Sequence, residues 1–474
     1  MNDFDKIFSH LGKDILLEEY LSGRLFYHPP TGIWNQKLRF EEIKNAWQNV
    51  SDKIIKKENN YDKIGLYVHI PFCQRRCIYC QFDGFPEARE EQHRLYIKCL
   101  ENEIKLLDFP KRVKFNSVYI GGGTPSILSP QNLIKLFNML YKHFGLSQVR
   151  QIAIDIHPET TTLEKIKIFK DFGVNRVTVG VQSLDQNLLK ATHRIQEKKS
   201  VLDTYYNLRK IGIQYINIDI MAGLPGQTII SFIATLKETL KLKPDTVHIN
   251  VFTPDIITPF HLSGKRLTPS ELRERVIMGR LAYKIISDAH LDIIEKSGSD
   301  SSNIQMYNLD KFNSSILGIG YAALSHANNN LLYLKEFNYK SYLNSMKNRS
   351  FPNLLGYRLD STLEMRAHVI KNLEMFGYVS YALFEKIFKK NMKQVFKKEI
   401  GFLARTSRIK NDREKLEIAK TKHLENEICP IIFYDNSVLK QMIRNTKSRS
   451  ELYSDQYFEL LFLASSLSTP CSSI

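Results

Sequence analysis

A chain of 474 residues exceeds what one hydrophobic core usually supports, so one large domain and at least one smaller one are expected. A hydrophobic content of 43% excludes wholesale disorder, and no apolar run approaches the roughly 18 residues of a membrane span. The formal net charge of +17 admits anionic partners, yet lysines spread over solvated faces account for most of it, and only residues 386–422 concentrate the excess.

The first residues, MNDFDKIFSH, are polar and acidic, unlike a secretory leader, and a cytoplasmic location is expected. Residues 1–62 read as an irregular arm containing YHPPTGIW. From residue 63 a unit repeats: a short apolar, β-branched run, a turn, then a helical pattern. The runs are GLYVHI ending at Ile70, SVYI at Ile120, IAIDI at Ile156, RVTVGV at Val181, YINIDIM at Met221 and TVHINVF at Phe252. Nearly continuous apolar runs of this length fit strands buried on both faces. Helical patterns between them, such as Glu90 to Leu107, Leu163 to Phe172 and Ile229 to Leu242, imply parallel βαβ units. Six units fall short of a closed eight-stranded barrel. The predicted fold is therefore α/β, a partial (β/α)6 barrel over 63–255, with its chemistry at the C-terminal ends of the strands. Residues 256–350 extend the barrel and include LGIGYAALSH, with strand and glycine-turn character. Residues 351–445 turn helical, as two helices broken at Gly377, and 446–474 form a Ser-rich tail.

Six cysteines in so large a chain do not form a disulfide framework. Three of them, in HIPFCQRRCIYCQF, follow the first strand as Cys73, Cys77 and Cys80, a C-x-x-x-C-x-x-C spacing. Thiolates are natural ligands of iron–sulfur clusters, and three ligands leave a fourth iron with an open position for substrate. Arg75 and Arg76 favour thiolates electrostatically. A zinc site is the alternative; it needs a fourth ligand, for which His69 is the nearest candidate. His69, His248 and His326 otherwise read as groups that orient a turn or a barrel rim.

The three-cysteine spacing resembles the radical S-adenosylmethionine (SAM) signature. The segments YVHIPFC, IGGGTPS, GVQS and GLPGQT are similar to the HemN-like branch of that superfamily. The branch includes oxygen-independent coproporphyrinogen III dehydrogenase, the haem chaperone HemW, anaerobic haem-degrading enzymes and class C methyltransferases. The resemblance runs from residue 63 to 326 and continues more faintly over 362–443. It implies a [4Fe–4S] cluster on Cys73, Cys77 and Cys80, with one or two SAM molecules cleaved by one electron from the cluster. It also implies SAM contacts at Tyr67, Tyr79, the turn Gly121–Gly122–Gly123–Thr124, Asp155 (where the branch more often has glutamate), Gln182, Arg194, Asp219 and Leu324. The glycines would let backbone N–H groups approach a carboxylate.

Below that level the sequence departs from two relatives. Gln81–Phe82 follows Cys80 where coproporphyrinogen dehydrogenases continue C-x-C, and SSNIQMYN stands where HemW carries HN-x-x-Y-W. The implied function is a radical SAM enzyme acting on a tetrapyrrole, by oxidative decarboxylation or methyl transfer. The alternatives are class C methylation or cyclopropanation of a small aromatic natural product, and a haem-binding chaperone that keeps the cluster. A flavodoxin- or ferredoxin-type electron donor is implied; neither a membrane nor nucleic acid is expected as a partner.

Overall fold

The computed structural model describes residues 34, 36–56, 63–82, 84–86, 88–252, 258–289, 292–293, 314–335, 338–352, 354–405, 409–418, 429–435 and 437–438. The expectations for the YHPP segment, for the SSNIQMYN stretch and for the tail lie outside them. Two compact units result, one of residues 38–327 and 333–354, the other of residues 1–37, 328–332 and 355–474.

The larger unit begins with a helix, α1 (Phe40–Lys56), where the sequence predicts an irregular arm. Its buried Ile43, Ala46, Trp47 and Val50 recur at helical spacing, and Glu41 and Glu42 in the first turn suit the helix dipole. Trp47 Nε1 donates to the hydroxyl of buried Tyr333 at 2.8 Å.

The βα repeat follows as β1 (Ile64–Ile70), α2 (Glu90–Leu107), β2 (Ser117–Gly122), α3 (Pro130–Phe144), β3 (Gln151–Ile156), α4 (Leu163–Asp171) and β4 (Arg176–Gln182). Then come α5 (Gln186–Ala191), α6 (Lys198–Ile211), β5 (Tyr215–Ala222), α7 (Ile229–Lys241), β6 (Thr246–Val251), α8 (Pro269–Asp288) and β7 (Asp292–Ile293). Two further strands, β8 (Ser315–Ile319) and β9 (Leu324–Ala327), and a helix, α9 (Tyr339–Lys347), follow. Strands β1 to β6 pair in parallel and in chain order. β8 lies parallel to β1 on the opposite edge and β9 pairs antiparallel with β8. This is the partial (β/α)6 barrel with its extension.

Local signals start and stop the helices as the sequence implies. Ser129 caps α3 by accepting from Asn132 N, Pro130 opens it, and Gly145 ends it in the left-handed conformation at φ 59°. Thr228 and Ser231 form a reciprocal cap on α7. Behind β8 lies an ion pair with both side chains fully buried, Glu103 to Lys335 at 2.7 Å. Glu103 also accepts from Gly320 N at 3.0 Å and from the Tyr342 hydroxyl at 2.7 Å, so α2, the β8–β9 turn and α9 are tied together.

In the smaller unit, α10 (Ser361–Phe376) is capped by Asp360 and closed by Gly377 at φ 72°. The break expected at Gly377 is present. Beyond it come β10 (Tyr378–Ser380), α11 (Tyr381–Phe388), α12 (Lys397–Arg405), β11 (Ile409–Asn411) and β12 (Lys415–Ile418). The unit is mostly helical but carries a three-stranded sheet in the order β10–β12–β11, which sequence reading did not predict. Arg366 on α10 bonds Glu399 at 3.2 Å and the Phe433 carbonyl at 2.8 Å. No helix among the described residues is long and apolar enough to cross a membrane.

Candidate active site

The loop between β1 and α2 carries the three cysteines. Buried Phe72 anchors it, packed on the His93 ring at 4.4 Å and the Tyr96 ring at 5.3 Å. The amides of Gly123 and Thr124 donate to the carbonyls of Ile70 (2.8 Å) and Phe72 (2.7 Å). Phe85 N donates to the Pro71 carbonyl at 2.9 Å, and Ile78 N to the Thr192 carbonyl at 3.2 Å. The glycine turn after β2 thus clasps the cysteine loop. Two of its amides are already engaged there, which replaces the expectation that they face a carboxylate.

Cys73, Cys77 and Cys80 line one cavity at the C-terminal ends of the parallel strands. Cys73 sits in a cradle: a Cβ added at Gly84 or at Gly123 would come within 2.9 Å of its Sγ. Burial raises the Cys73 thiol and pushes Cys80 up to about 12. Such thiols stay neutral until a metal takes their protons. Among the described residues, no three His, Cys, Asp or Glu side chains converge closely enough to hold a single metal ion. Three thiols lining one cavity suit an iron–sulfur cluster, whose natural ligands are thiolates. His69 is not among the residues lining that cavity. Its Nδ1 lies 2.9 Å from the Tyr67 hydroxyl, and burial, with the charge of Lys335, holds the imidazole neutral with a pKa of about 3.

The same cavity is lined by Tyr67, Tyr79, Gly122, Gly123, Thr124, Asp155, Gln182, Arg194 and Asp219, so nine of the expected SAM contacts come together. Gly121 and Leu324 are not among the lining residues. Gly121 backs onto Asp155 and the Tyr119 ring, and Leu324 opens β9, two strands away from β1. Gln182 sits at a β-bulge with φ 64°, a strained conformation for a non-glycine residue, and its buried Oε1 makes no hydrogen bond. Arg194 is partly committed: it donates to the Gly180 carbonyl, to Gln196 Oε1 at 3.0 Å and to the Tyr79 hydroxyl at 3.4 Å. A guanidinium has five N–H donors, and one more of them goes to the neighbouring Cys77. Sequence reading missed Tyr119, His157 and Asn250, which also line the cavity. Tyr119 could have been found, because it shares a strand face with Gly121 two residues on.

Asp155 accepts a hydrogen bond of 2.6 Å from Tyr119, while its buried Oδ1 makes none. Burial, reinforced by the charge of Asp219, pushes its carboxyl from 3.8 up to about 7. Between those values the folded chain holds a proton that the unfolded chain has lost. Stability therefore falls as pH rises from about 4 to about 7 and stays lower above that. Asp155→Asn removes the penalty. Urea titrations of the metal-free protein should show the variant more stable than wild type at pH 8, by on the order of 2–4 kcal/mol, with the difference closing below pH 4 to 5. A difference independent of pH would contradict this account.

Residues 67–239 match the radical SAM superfamily. Over 375 residues the chain is 26% identical to the heme chaperone HemW of Bacillus subtilis (strain 168), covering 76% of this chain and 97% of that protein. It is 29% identical over 396 residues to the oxygen-independent coproporphyrinogen III oxidase of Helicobacter pylori (strain J99), covering 78% and 84%. Among solved structures, coproporphyrinogen III oxidase (HemN) from Escherichia coli superposes with a TM-score of 0.70 at 20% identity, over 82% of this chain and 92% of that one, a likeness of fold. The cysteine loop, the partial barrel and the family match together identify residues 67–239 as a radical SAM domain, in a chain similar to HemW and to oxygen-independent coproporphyrinogen III oxidase.

Proposed function

We propose that this chain is a radical SAM enzyme that acts on a tetrapyrrole-type substrate. The observation that carries the reading is the single cavity in which three cysteines face Asp155, Gln182, Arg194 and Asp219. Cys73, Cys77 and Cys80 would hold a [4Fe–4S] cluster, and the polar groups at the strand ends would hold SAM. Bound together, these cofactors supply one-electron reductive cleavage of SAM and hydrogen-atom abstraction.

The chain's own residues bind and orient. Tyr67 and Tyr79 offer flat faces, Gln182 and Asp219 offer acceptors, and Arg194 offers donors for a carboxylate. Arg75 and Arg76 line the same cavity as exposed Phe82, Ile195 and Val251. Cationic groups beside apolar ones suit a flat macrocycle bearing carboxylates. The relatives support the same class, since they are a coproporphyrinogen III oxidase and a heme chaperone. The HemW likeness, which spans 97% of that relative, keeps a haem-binding chaperone as the second reading. The reductant is expected to be a flavodoxin- or ferredoxin-type donor.

The deciding experiment incubates anaerobically reconstituted, reduced protein with SAM, alone and with coproporphyrinogen III, haem or an indole. 5′-Deoxyadenosine with carbon dioxide release from coproporphyrinogen indicates decarboxylation, and transfer of a labelled methyl group indicates methylation. Stoichiometric haem binding with no turnover of any substrate would replace the enzyme reading by the chaperone one.

A further inference from the structure

Below the cavity, the floor of the barrel holds polar groups that the reading above does not use. Arg176 on β4, Asn217 on β5 and Thr246 on β6 are all buried, with Arg176 fully so. Asn217 lies opposite Thr246 across the β5–β6 ladder, and Asp219 lies opposite His248 one step nearer the cavity. Asn217 and Asp219 share a face of β5 because they are two residues apart. The side chains connect in series. Arg176 Nη2 donates to Thr246 Oγ1 at 2.8 Å, Thr246 Oγ1 donates to Asn217 Oδ1 at 2.9 Å, and Asn217 Nδ2 donates to Asp219 Oδ1 at 2.7 Å.

The direction of this series is forced. A guanidinium only donates, so the threonine oxygen must accept from it. The threonine proton is then free to go to the asparagine oxygen, which turns the asparagine NH2 toward Asp219. Flipping the amide would set its oxygen against a carboxylate oxygen at 2.7 Å and its NH2 against the threonine oxygen, an arrangement with no acceptor for Arg176's partner to satisfy. Asp219 Oδ1 is thereby committed, with His248 Nδ1 at 3.6 Å from the same oxygen. The carboxylate keeps a fixed rotation where Asp219 lines the cavity.

We propose that Arg176, Thr246 and Asn217 are positioning residues, a directional hydrogen-bond relay that holds Asp219 as an oriented acceptor for SAM. The inference rests on the proposed SAM site. It predicts that breaking the relay at either inner link weakens SAM binding only through Asp219.

The test is equilibrium dialysis of SAM against anaerobically reconstituted protein, with iron content measured in parallel. Thr246→Val and Asn217→Ala should each weaken binding about three- to tenfold, the order of one hydrogen bond. Thr246→Ser, which restores the hydroxyl, should stay within about twofold of wild type. In an Asp219→Ala background neither variant should weaken binding further, because the group they orient is gone. Equal losses with and without Asp219 would overturn the relay, as would a Thr246→Ser variant as weak as Thr246→Val. Loss of folding in both Thr246→Val and Asn217→Ala would also overturn it, since that would assign the network to stability. Wild-type protein that takes up iron yet binds no SAM would instead remove the reading on which the relay rests.

Discussion

Single replacement of Cys73, Cys77 or Cys80 by alanine should abolish the brown absorbance and the iron content of anaerobically reconstituted protein, and with them all SAM cleavage. Each thiol lines the same cavity, and Cys73 is gripped between Gly84 and Gly123. A cluster held by three cysteines has no spare protein ligand. Removing one should cost most of the binding free energy rather than a fraction of it. Cys99→Ala is the control. Cys99 is buried on α2 and does not line that cavity. Its loss should leave iron and absorbance unchanged. Zinc bound at one equivalent, with no iron taken up after anaerobic reconstitution, would refute the cluster assignment. So would a Cys77→Ala variant that keeps wild-type iron content.

The part of this site that was legible in the sequence is the part that is local. Three cysteines within eight residues, directly after GLYVHI, need no knowledge of packing to be read as one ligand set. The strand ends were equally legible, because apolar runs such as RVTVGV and YINIDIM are continuous and bounded by turns, and each coincides with an observed strand. What escaped depends on register between strands. Arg176, Asn217 and Thr246 are separated by dozens of residues and meet only because β4, β5 and β6 align in one particular stagger. A one-residue slip would send each to the other face. Leu324 is governed by register too: it opens β9, which pairs antiparallel with β8, and no residue of β9 lines the cavity. The small sheet of β10, β11 and β12 escaped because strands of three or four residues are too short to show alternation. Helix α8 was hidden too, since its inward face includes buried Arg275, which breaks the apolar period.

The second large effect is expected at Gly122, where sequence reading assigned the glycine to ligand approach and the structure shows a tighter constraint. Gly122 adopts φ +112°, a region that side chains rarely enter, and a Cβ there would lie 2.7 to 2.9 Å from three atoms of the His69 ring. That ring cannot swing away freely, because it is buried and bonded to the Tyr67 hydroxyl at 2.9 Å. Backbone strain of this kind costs about 1–3 kcal/mol and overpacking a further 1–3 kcal/mol. Gly122→Ala should therefore destabilise the protein by about 2–6 kcal/mol, a large share of a typical domain's stability. The damage should also reach the cysteines, since the neighbouring Gly123 amide is what ties the turn to Ile70 at the head of their loop. Iron occupancy and SAM affinity are expected to fall together. The two costs can be separated by adding His69→Ala, which opens the space but leaves the backbone conformation as it is. In urea unfolding, Gly122→Ala should cost less in the His69→Ala background than in wild type, by the overpacking share of 1–3 kcal/mol, while the strain share persists. Strict additivity of the two substitutions would show that the ring and the turn do not press on each other. A Gly122→Ala protein with wild-type stability and normal SAM affinity would show that the turn relaxes into an ordinary conformation at no cost.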